Sequence, residues 1–534
     1  MPGSHLYLQH CHNSASPSEL THAERRLWAA FRFERGVDLD FGDPESGGPD
    51  RAEVCGQFIA ELLSQERQAG SSTQFQVRGI HITGILDLRY TRISCPIVMH
   101  NCHFANAVSL EGARCTVLVL EQCSLPRLDA ENIEIDGDFR LNHLKAYGKV
   151  NIRGAALRHD LHLEGAELYS QQPDGMALCA DNISVAGNIY LTKLTAMGTV
   201  SMAGARVRGS VEMTDAEIFG VNHIAFNGSD LEAEDGIDAR GIKTSGKVEL
   251  IDATFKSSLG FRGGRISNPG AIALVMDRAS IAGSIFLGNG FSAEGQVRAI
   301  GASVGGSLYM DNTRIIRPPR ALNNAYPEVG MRDIGKIIRF ERIEVHGDMD
   351  LGSSEADKFF YAVGEVVLAD AQVGGQVSLD GASLSALNSG EEGKALDADR
   401  MHIKRGLHLG EGFTATGQVS IANAQVGDSL LLGPATFIVL RGPAFDARGI
   451  HVFQDLIAQE LSVYGSTILA SAKIEGTLTL PTRGLSAPNA AAVDLLGVLS
   501  KSPQLISAFA LSAFVIKYTL FASACLPGNS FSIR

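Results

Sequence analysis

A single tryptophan stands in 534 residues, and all aromatic residues together make up 7% of the chain. Grooves that hold sugars rely on exposed aromatic rings, so there is little material for one. Lysine and arginine number 46 against 59 acidic residues, a formal charge of −13. Phosphate backbones attract proteins through released counterions, which needs the opposite balance, so no nucleic-acid partner is expected. The eight cysteines (Cys11, Cys55, Cys95, Cys102, Cys115, Cys123, Cys179, Cys525) include no CxxC pair and no zinc-type spacing, and they read as free thiols. No glycine-rich turn lies between a strand and a helix: Gly288-Asn289-Gly290 has the first letters of a dinucleotide motif, but no helical pattern follows it. No cofactor, metal or catalytic residue is therefore assigned. The N-terminus lacks the charged start and apolar run of a secretory signal, so cytoplasmic residence is expected.

What the chain has in quantity is glycine, 58 residues, and a short apolar rhythm. Between 150 and 168 the sequence VNIRGAALRHDLHLEGAEL places Val150, Ile152, Ala155, Leu157, Leu161, Leu163, Ala166 and Leu168 at steps of two, three, two and four. A step of two keeps side chains on one face of a strand, and a longer step carries the chain round a corner. The same phrase returns from Val200 to Ile218 and from Val366 to Leu384, whereas a helix would need apolar residues at i, i+3, i+4 and i+7. Units of about eleven residues cannot bury their own apolar side, and stacking completes the core. Two units make a coil of about 21 to 22 residues, so the expected fold is all-β, a right-handed parallel β-helix. A longer echo agrees: residues 273–310 align without a gap to 395–432, with 18 of 38 positions identical.

Pairs of a small residue two before a large one, such as Cys102 and Phe104, Cys123 and Leu125, or Ala166 and Leu168, resemble pentapeptide-repeat β-helices. The phrases ALDADRMHIKRGLHLGEGFTATGQV and GIHITGILDLRYTRI look more closely like a bacterial family often labelled membrane-associated oxidoreductase. The resemblance covers most of residues 20 to 480 and implies the same solenoid. In that family the repeats usually lead into further helical and membrane-spanning sequence, and no motif in them explains a reaction.

Residues 1–17 read as a disordered N-terminus and 18–70 as a helical cap, with capping-box spacing from Thr21 to Glu24, Leu27, Trp28 and Phe31 on one face, and a second helix about 51–65. The β-helix is expected over 75–480, a linker over 481–503, a hydrophobic helix over 504–526 and a tail over 527–534. The run LISAFALSAFVIKYTLFASACL, 505–526, is long enough to span a bilayer, although Lys517 costs about 2.5 to 3.5 kcal/mol at its centre. Membrane contact through 505–526, at the cytoplasmic face of an inner membrane, is the expectation; the other reading of the run is a cover for the open end of the solenoid.

Insertions interrupt the repeats near 170–174, 228–236, 317–333, 352–358 and 388–394. In solenoids such loops often emerge from the binding face. The longest carries Arg317, Arg320, Tyr326 and Arg332, candidate contacts for an anion or a partner, against the plainer reading of a solvated loop. His81 and His103, 22 apart, are expected to stack as outward strand residues. The run Asp129, Glu131, Glu134, Asp136, Asp138 could supply a glycosidase pair or simply form an acidic surface. The chain is thus expected to be a non-catalytic scaffold that binds an unidentified protein partner. The alternative is an enzyme, either the oxidoreductase that the family label implies or a carbohydrate-active β-helix.

Overall fold

A computed structural model describes residues 20–33, 37–42, 52–64, 74–170, 175–316, 335–352, 359–386, 393–481, 485–486, 493–504 and 516–521. The chain divides into two compact units, Met1–Lys256 and Ser257–Arg534. Each is a parallel β-solenoid, and among the described residues the two helices are α1, His22–Phe33, and α2, Gly56–Ser64.

One coil consists of four short strands separated by corners. In unit 1 a representative coil runs Ile97–His100, His103–Phe104, Val108–Ser109 and Arg114–Cys115, which we number as the first to fourth faces. Ile97 pairs in parallel with Leu118 and Leu118 with Phe139, each 21 positions on, and Phe139 pairs with Leu161, 22 on. The expected coil length is therefore observed, and its four strands are the two two-stranded units expected of each coil. All eight residues of the opening phrase point inward and are buried. Because like positions stack at about 4.8 Å, each buried side chain packs on its counterpart above and below. Full burial of a leucine or phenylalanine contributes about 1.5 to 3 kcal/mol, and unit 2 adds ring contacts such as Phe413 to Phe437, 5.7 Å between centroids.

Two further devices hold the corners. The corners after the first and third faces pass through left-handed backbone, at Asn132, His143, Asn182 and Lys193 for instance. At the corner from fourth to first face, a side chain accepts the backbone N–H of the next coil. In unit 1 the Asn188 amide donates to Asp160 (2.6 Å) and the Ser210 amide to Asn188 (2.9 Å). In unit 2 the series Ser258, Ser284, Ser307, Asp348 continues it, each accepting the amide of the next member and Asp348 that of Gln376. Backbone donors at a corner need such partners, since an unmet buried N–H costs free energy comparable to a lost hydrogen bond.

Extra residues enter mainly at one corner, between the second and third faces, and there in alternate coils. Counting between stacked inward positions, the step is four from Ala196 to Val200 and eight from Ile218 to Phe226; in unit 2 it is eight from Ile266 to Leu274, four from Ala293 to Val297, twelve from Leu384 to Leu396 and four from Ala415 to Val419. Each short corner that follows a long one carries a glycine with φ between 120° and 150°: Gly198, Gly246, Gly295, Gly364, Gly417 and Gly465. A Cβ there would press on the preceding long corner, as with Gly295 against the Asn268 carbonyl at 2.7 Å. The echo of 273–310 in 395–432 thus lies four coils on, two repeats of a two-coil period of long corner then short. Residues 228–236, expected as an insertion, instead form an ordinary corner and the strand Glu232–Ala233; the extra residues sit just before them, where Met197 pairs with Phe219 at 22 but Val200 with Phe226 at 26.

At the N-terminus the capping box forms: Thr21 Oγ1 accepts the Glu24 amide (3.1 Å) and Glu24 accepts the Thr21 amide (2.8 Å). The other Glu24 oxygen accepts the Cys55 amide at 2.9 Å, which ties α1 to the strand Glu53–Cys55. Leu27 and Phe31 of α1 and Ile59, Leu62 and Leu63 of α2 are buried. Of the hydrophobic, membrane-spanning helix expected over 504–526, residues 505–515 and 522–526 lie outside the described residues, and Ile516–Phe521 is instead a strand that pairs in parallel with Val493–Gln504. The open edge of that strand offers a full row of donors and acceptors, and Ile-Lys-Tyr-Thr-Leu-Phe is rich in β-formers, so the ladder meets its backbone needs where a helix had been read from hydropathy alone. Among the described residues no helix is long and apolar enough to cross a membrane.

Candidate functional site

Arg317, Arg320, Tyr326 and Arg332 lie outside the described residues. The chain that carries them enters between Arg314–Ile316 on the second face and Lys336–Arg339 on the third. The third face of unit 2 is a half-buried strip of charge. Arg298 pairs with Asp277 at 2.6 Å, Arg339 with Glu341 at 2.8 Å, and Lys394 with both Asp397 and Asp399 at 3.1 Å. Asp399 also accepts the Ser420 hydroxyl (2.5 Å) and the Ala422 amide (2.9 Å).

Two carboxyls two residues apart are driven in opposite directions there. Burial raises the pKa of Asp397, against the pull of Lys394. Burial acts on Asp399 too, but the Ser420 and Lys394 hydrogen bonds outweigh it and hold Asp399 below the usual carboxylate range. Glu365 is raised by burial and by the Asp397 charge. Such divergence is what acid–base chemistry uses, and structural ion-pair networks produce it as well.

In unit 1, Asp138, Asp160 and His162 bring three potential metal-ligand atoms within 4.8 Å of one another on the first face. Each already has a neighbour: Arg140 pairs with Asp138 at 2.7 Å, the Asn188 amide bonds Asp160, and His162 lies 3.4 Å from Glu164 and stacks on Tyr190 with ring centroids 4.8 Å apart. The acidic run from Asp129 to Asp138 does not converge. Asp129 is on the third face, Glu134 on the fourth, and Asp138 lies one residue before the first-face strand Phe139–Arg140.

The expected stack of His81 on His103 is present, with centroids 4.9 Å apart and planes within 8°, although His81 is buried rather than outward in solvent. Cys102, Cys115 and Cys123 are buried, and Cys55 and Cys95 half-buried. Gly288-Asn289-Gly290 is a corner in left-handed backbone at Asn289 and Gly290.

Two outer features were not read from the sequence. At the end of the second face in unit 1, Tyr147, Tyr169, Met197 and Phe219 follow one another on successive coils; Tyr147 stacks on Tyr169, and Tyr169 pairs in register with Met197 and Met197 with Phe219. Tyr147, Met197 and Phe219 are 47%, 42% and 40% exposed. The signal was the large residue directly after each inward Ala146, Leu168, Ala196 and Ile218. On the fourth face a groove of about 590 Å³ is floored by Ala156, Ser184 and Ala186 and walled by charged residues. Comparison of the chain with protein-family models, curated proteins and solved structures finds no match.

Proposed function

We propose that the chain is a non-catalytic β-solenoid scaffold that binds a protein partner through the outer rows of its coils. The observation that carries this reading is the apolar row Tyr147, Tyr169, Met197 and Phe219, beside the corner where extra residues enter. Contiguous exposed apolar side chains on a soluble surface mark interaction sites, and a solenoid repeats the side chain at fixed spacing without ordering cost at binding. The winding is taken as right-handed, the sense of nearly all parallel β crossovers. Residence in a reducing compartment fits the free thiols of Cys102 and Cys123, which sit in adjacent coils within hydrogen-bonding reach. The family label rests on the motif resemblance alone. The test is affinity capture with the full chain and with the variant Met197→Asp/Phe219→Asp: a partner retained by the first and lost by the second supports the reading. An absorbance spectrum showing bound flavin or haem would overturn it in favour of the oxidoreductase.

A second reading, a carbohydrate-active solenoid, is favoured by the opposed Asp397 and Asp399 carboxyls on the third face. Release of reducing ends from a polysaccharide panel, abolished in Asp397→Asn, is its measure.

A further inference from the structure

The fourth face of unit 1 has an order of charge that is complementary to itself. Its outward positions stack in register as Arg92, Arg114, Glu134, Ala156, Ser184, Arg206, Glu232 and Thr254. The second outward residue of each coil gives a parallel row: Ser94, Thr116, Asp136, Arg158, Ala186, Arg208, Glu234 and Lys256. The face is uninterrupted. The step from third to fourth face is six residues in each of these coils, as from Val108 to Arg114, Val150 to Ala156 and Phe226 to Glu232.

Counted outward from the small floor between Ala156 and Ser184, the two directions carry opposite signs. On one side come Glu134 with Asp136 and then Arg114; on the other come Arg206 with Arg208 and then Glu232 with Glu234. We infer that this face docks a second copy of the chain, related by a twofold axis that lies in the contact plane along the strand direction and passes between the Ala156 and Ser184 coils. That operation places Glu134 and Asp136 of one copy against Arg206 and Arg208 of the other, and Arg114 against Glu232. Arg158 then faces Ala186, so that the long side chain enters the groove of the opposite copy. The outermost rows set Arg92 against Thr254 and Ser94 against Lys256, with no like charges opposed. A self-complementary patch is what a closed dimer requires.

The charges are available for this exchange. Within the chain, Arg114–Glu134, Arg158–Asp136 and Arg206–Glu232 are exposed pairs at 2.9, 3.2 and 3.6 Å. Pairs so exposed hold little free energy, so neighbours in a partner can replace or join them. Eight rows at the strand spacing by one face's width give roughly 500 Å² per copy, the low end of specific interfaces. Binding is therefore weak and governed by charge. This contact is independent of the apolar row on the second face.

Sedimentation equilibrium of the full chain tests it. The wild type is expected to dimerise at low salt and to weaken about tenfold or more when salt shortens the screening length to a few ångströms. Arg206→Glu/Arg208→Glu and Glu134→Arg/Asp136→Arg are each expected to be monomers with unchanged circular dichroism. An equimolar mixture of the two restores a dimer, because both contacts are then opposite in sign, and so does the variant that carries all four reversals. A wild type that stays monomeric at low salt, a dimer that survives either reversal, or a mixture that remains monomeric overturns the proposal. Because Met197 and Phe219 are untouched, the outcome is separate from that of the partner-capture test.

Discussion

Gly154 lies directly over Asn132 of the preceding coil, and a Cβ on Gly154 would collide with the Asn132 carboxamide oxygen. Both residues are in left-handed backbone, with φ of 65° and 56°. The same arrangement joins Gly204 to Asn182 and Gly449 to Asn423, so at these corners a coil with a side chain is followed by one without. Gly154→Ala is expected to destabilise unit 1 by about 1 to 3 kcal/mol, from left-handed backbone and the collision together. In Asn132→Gly/Gly154→Ala the collision is gone and only the backbone cost remains. Urea midpoints of the two variants separate these contributions; equal losses in both would show that the carboxamide is not in the way.

A larger loss is expected at Gly417. Its φ is 126°, outside the left-handed well that other residues visit, and a Cβ there would stand 2.5 Å from the Ala386 Cβ and 2.9 Å from the Gly393 carbonyl oxygen. Gly301, with φ of 63° and nothing within 4 Å, is the comparison. Gly417→Ala is expected to cost several times more than Gly301→Ala, about 3 kcal/mol or more against about 1. Thermal melting of the two proteins side by side measures the ratio.

These glycines also show how far the sequence could be read. The inward residues from Val150 to Leu168 declare the solenoid because an apolar step of two has only one economical use in a chain this regular. The phrases ALA-type, small-x-Gly-x-Val at Ala196–Val200, Ala293–Val297, Ala362–Val366 and Ala415–Val419, announce the short corners just as plainly. Their meaning was hidden, because it depends on the long corner of the coil before, about 22 or more residues away. Residues 516–521 misled for a related reason: hydropathy does not tell helix from strand, and the backbone of Ile516–Phe521 finds its partners along Val493–Gln504 rather than within a helix. Site residues were the least legible. Asp397 and Asp399 differ by environment rather than identity, and the fourth-face charge order exists only once Glu134 and Arg206 are seen on one surface.

The Arg298–Asp277 pair on the third face is expected to be worth more as a constraint than as a source of stability. Asp277 is 8% exposed; it holds Arg298 at 2.6 Å and accepts the Ile300 amide at 3.0 Å. Asp277→Ala leaves a guanidinium that is 22% exposed and the Ile300 N–H without their partner, a loss of about 1 to 3 kcal/mol. Asp277→Ala/Arg298→Met removes both charges and is expected to recover much of that loss. Urea unfolding of the wild type, the single and the double variant forms the measurement; a double variant no better than the single would mean that the Ile300 contact, not the charge, carries the cost.

Three buried thiols are expected to weaken unit 1 at alkaline pH, against Cys102, whose pKa the hydrogen bond with Cys123 lowers. Burial pushes Cys115 up to about 12 and raises Cys123 and Cys179 as well. A thiol whose pKa is higher in the fold than in the unfolded chain holds its proton in the native state while the unfolded state loses it. Its contribution is therefore complete below about pH 8.5, the unfolded value, and is lost as pH climbs toward the folded one. The slope is about 1.4 kcal/mol per pH unit for each such thiol. The urea midpoint is expected to be level near pH 7 and to fall between about pH 8.5 and pH 10, with a shallower fall in Cys115→Ala. Alkylation of the native protein should leave Cys115 and Cys123 unmodified, since the thiolate is the nucleophile. A midpoint independent of pH across that window, or rapid labelling of Cys115, would show that these side chains reach water.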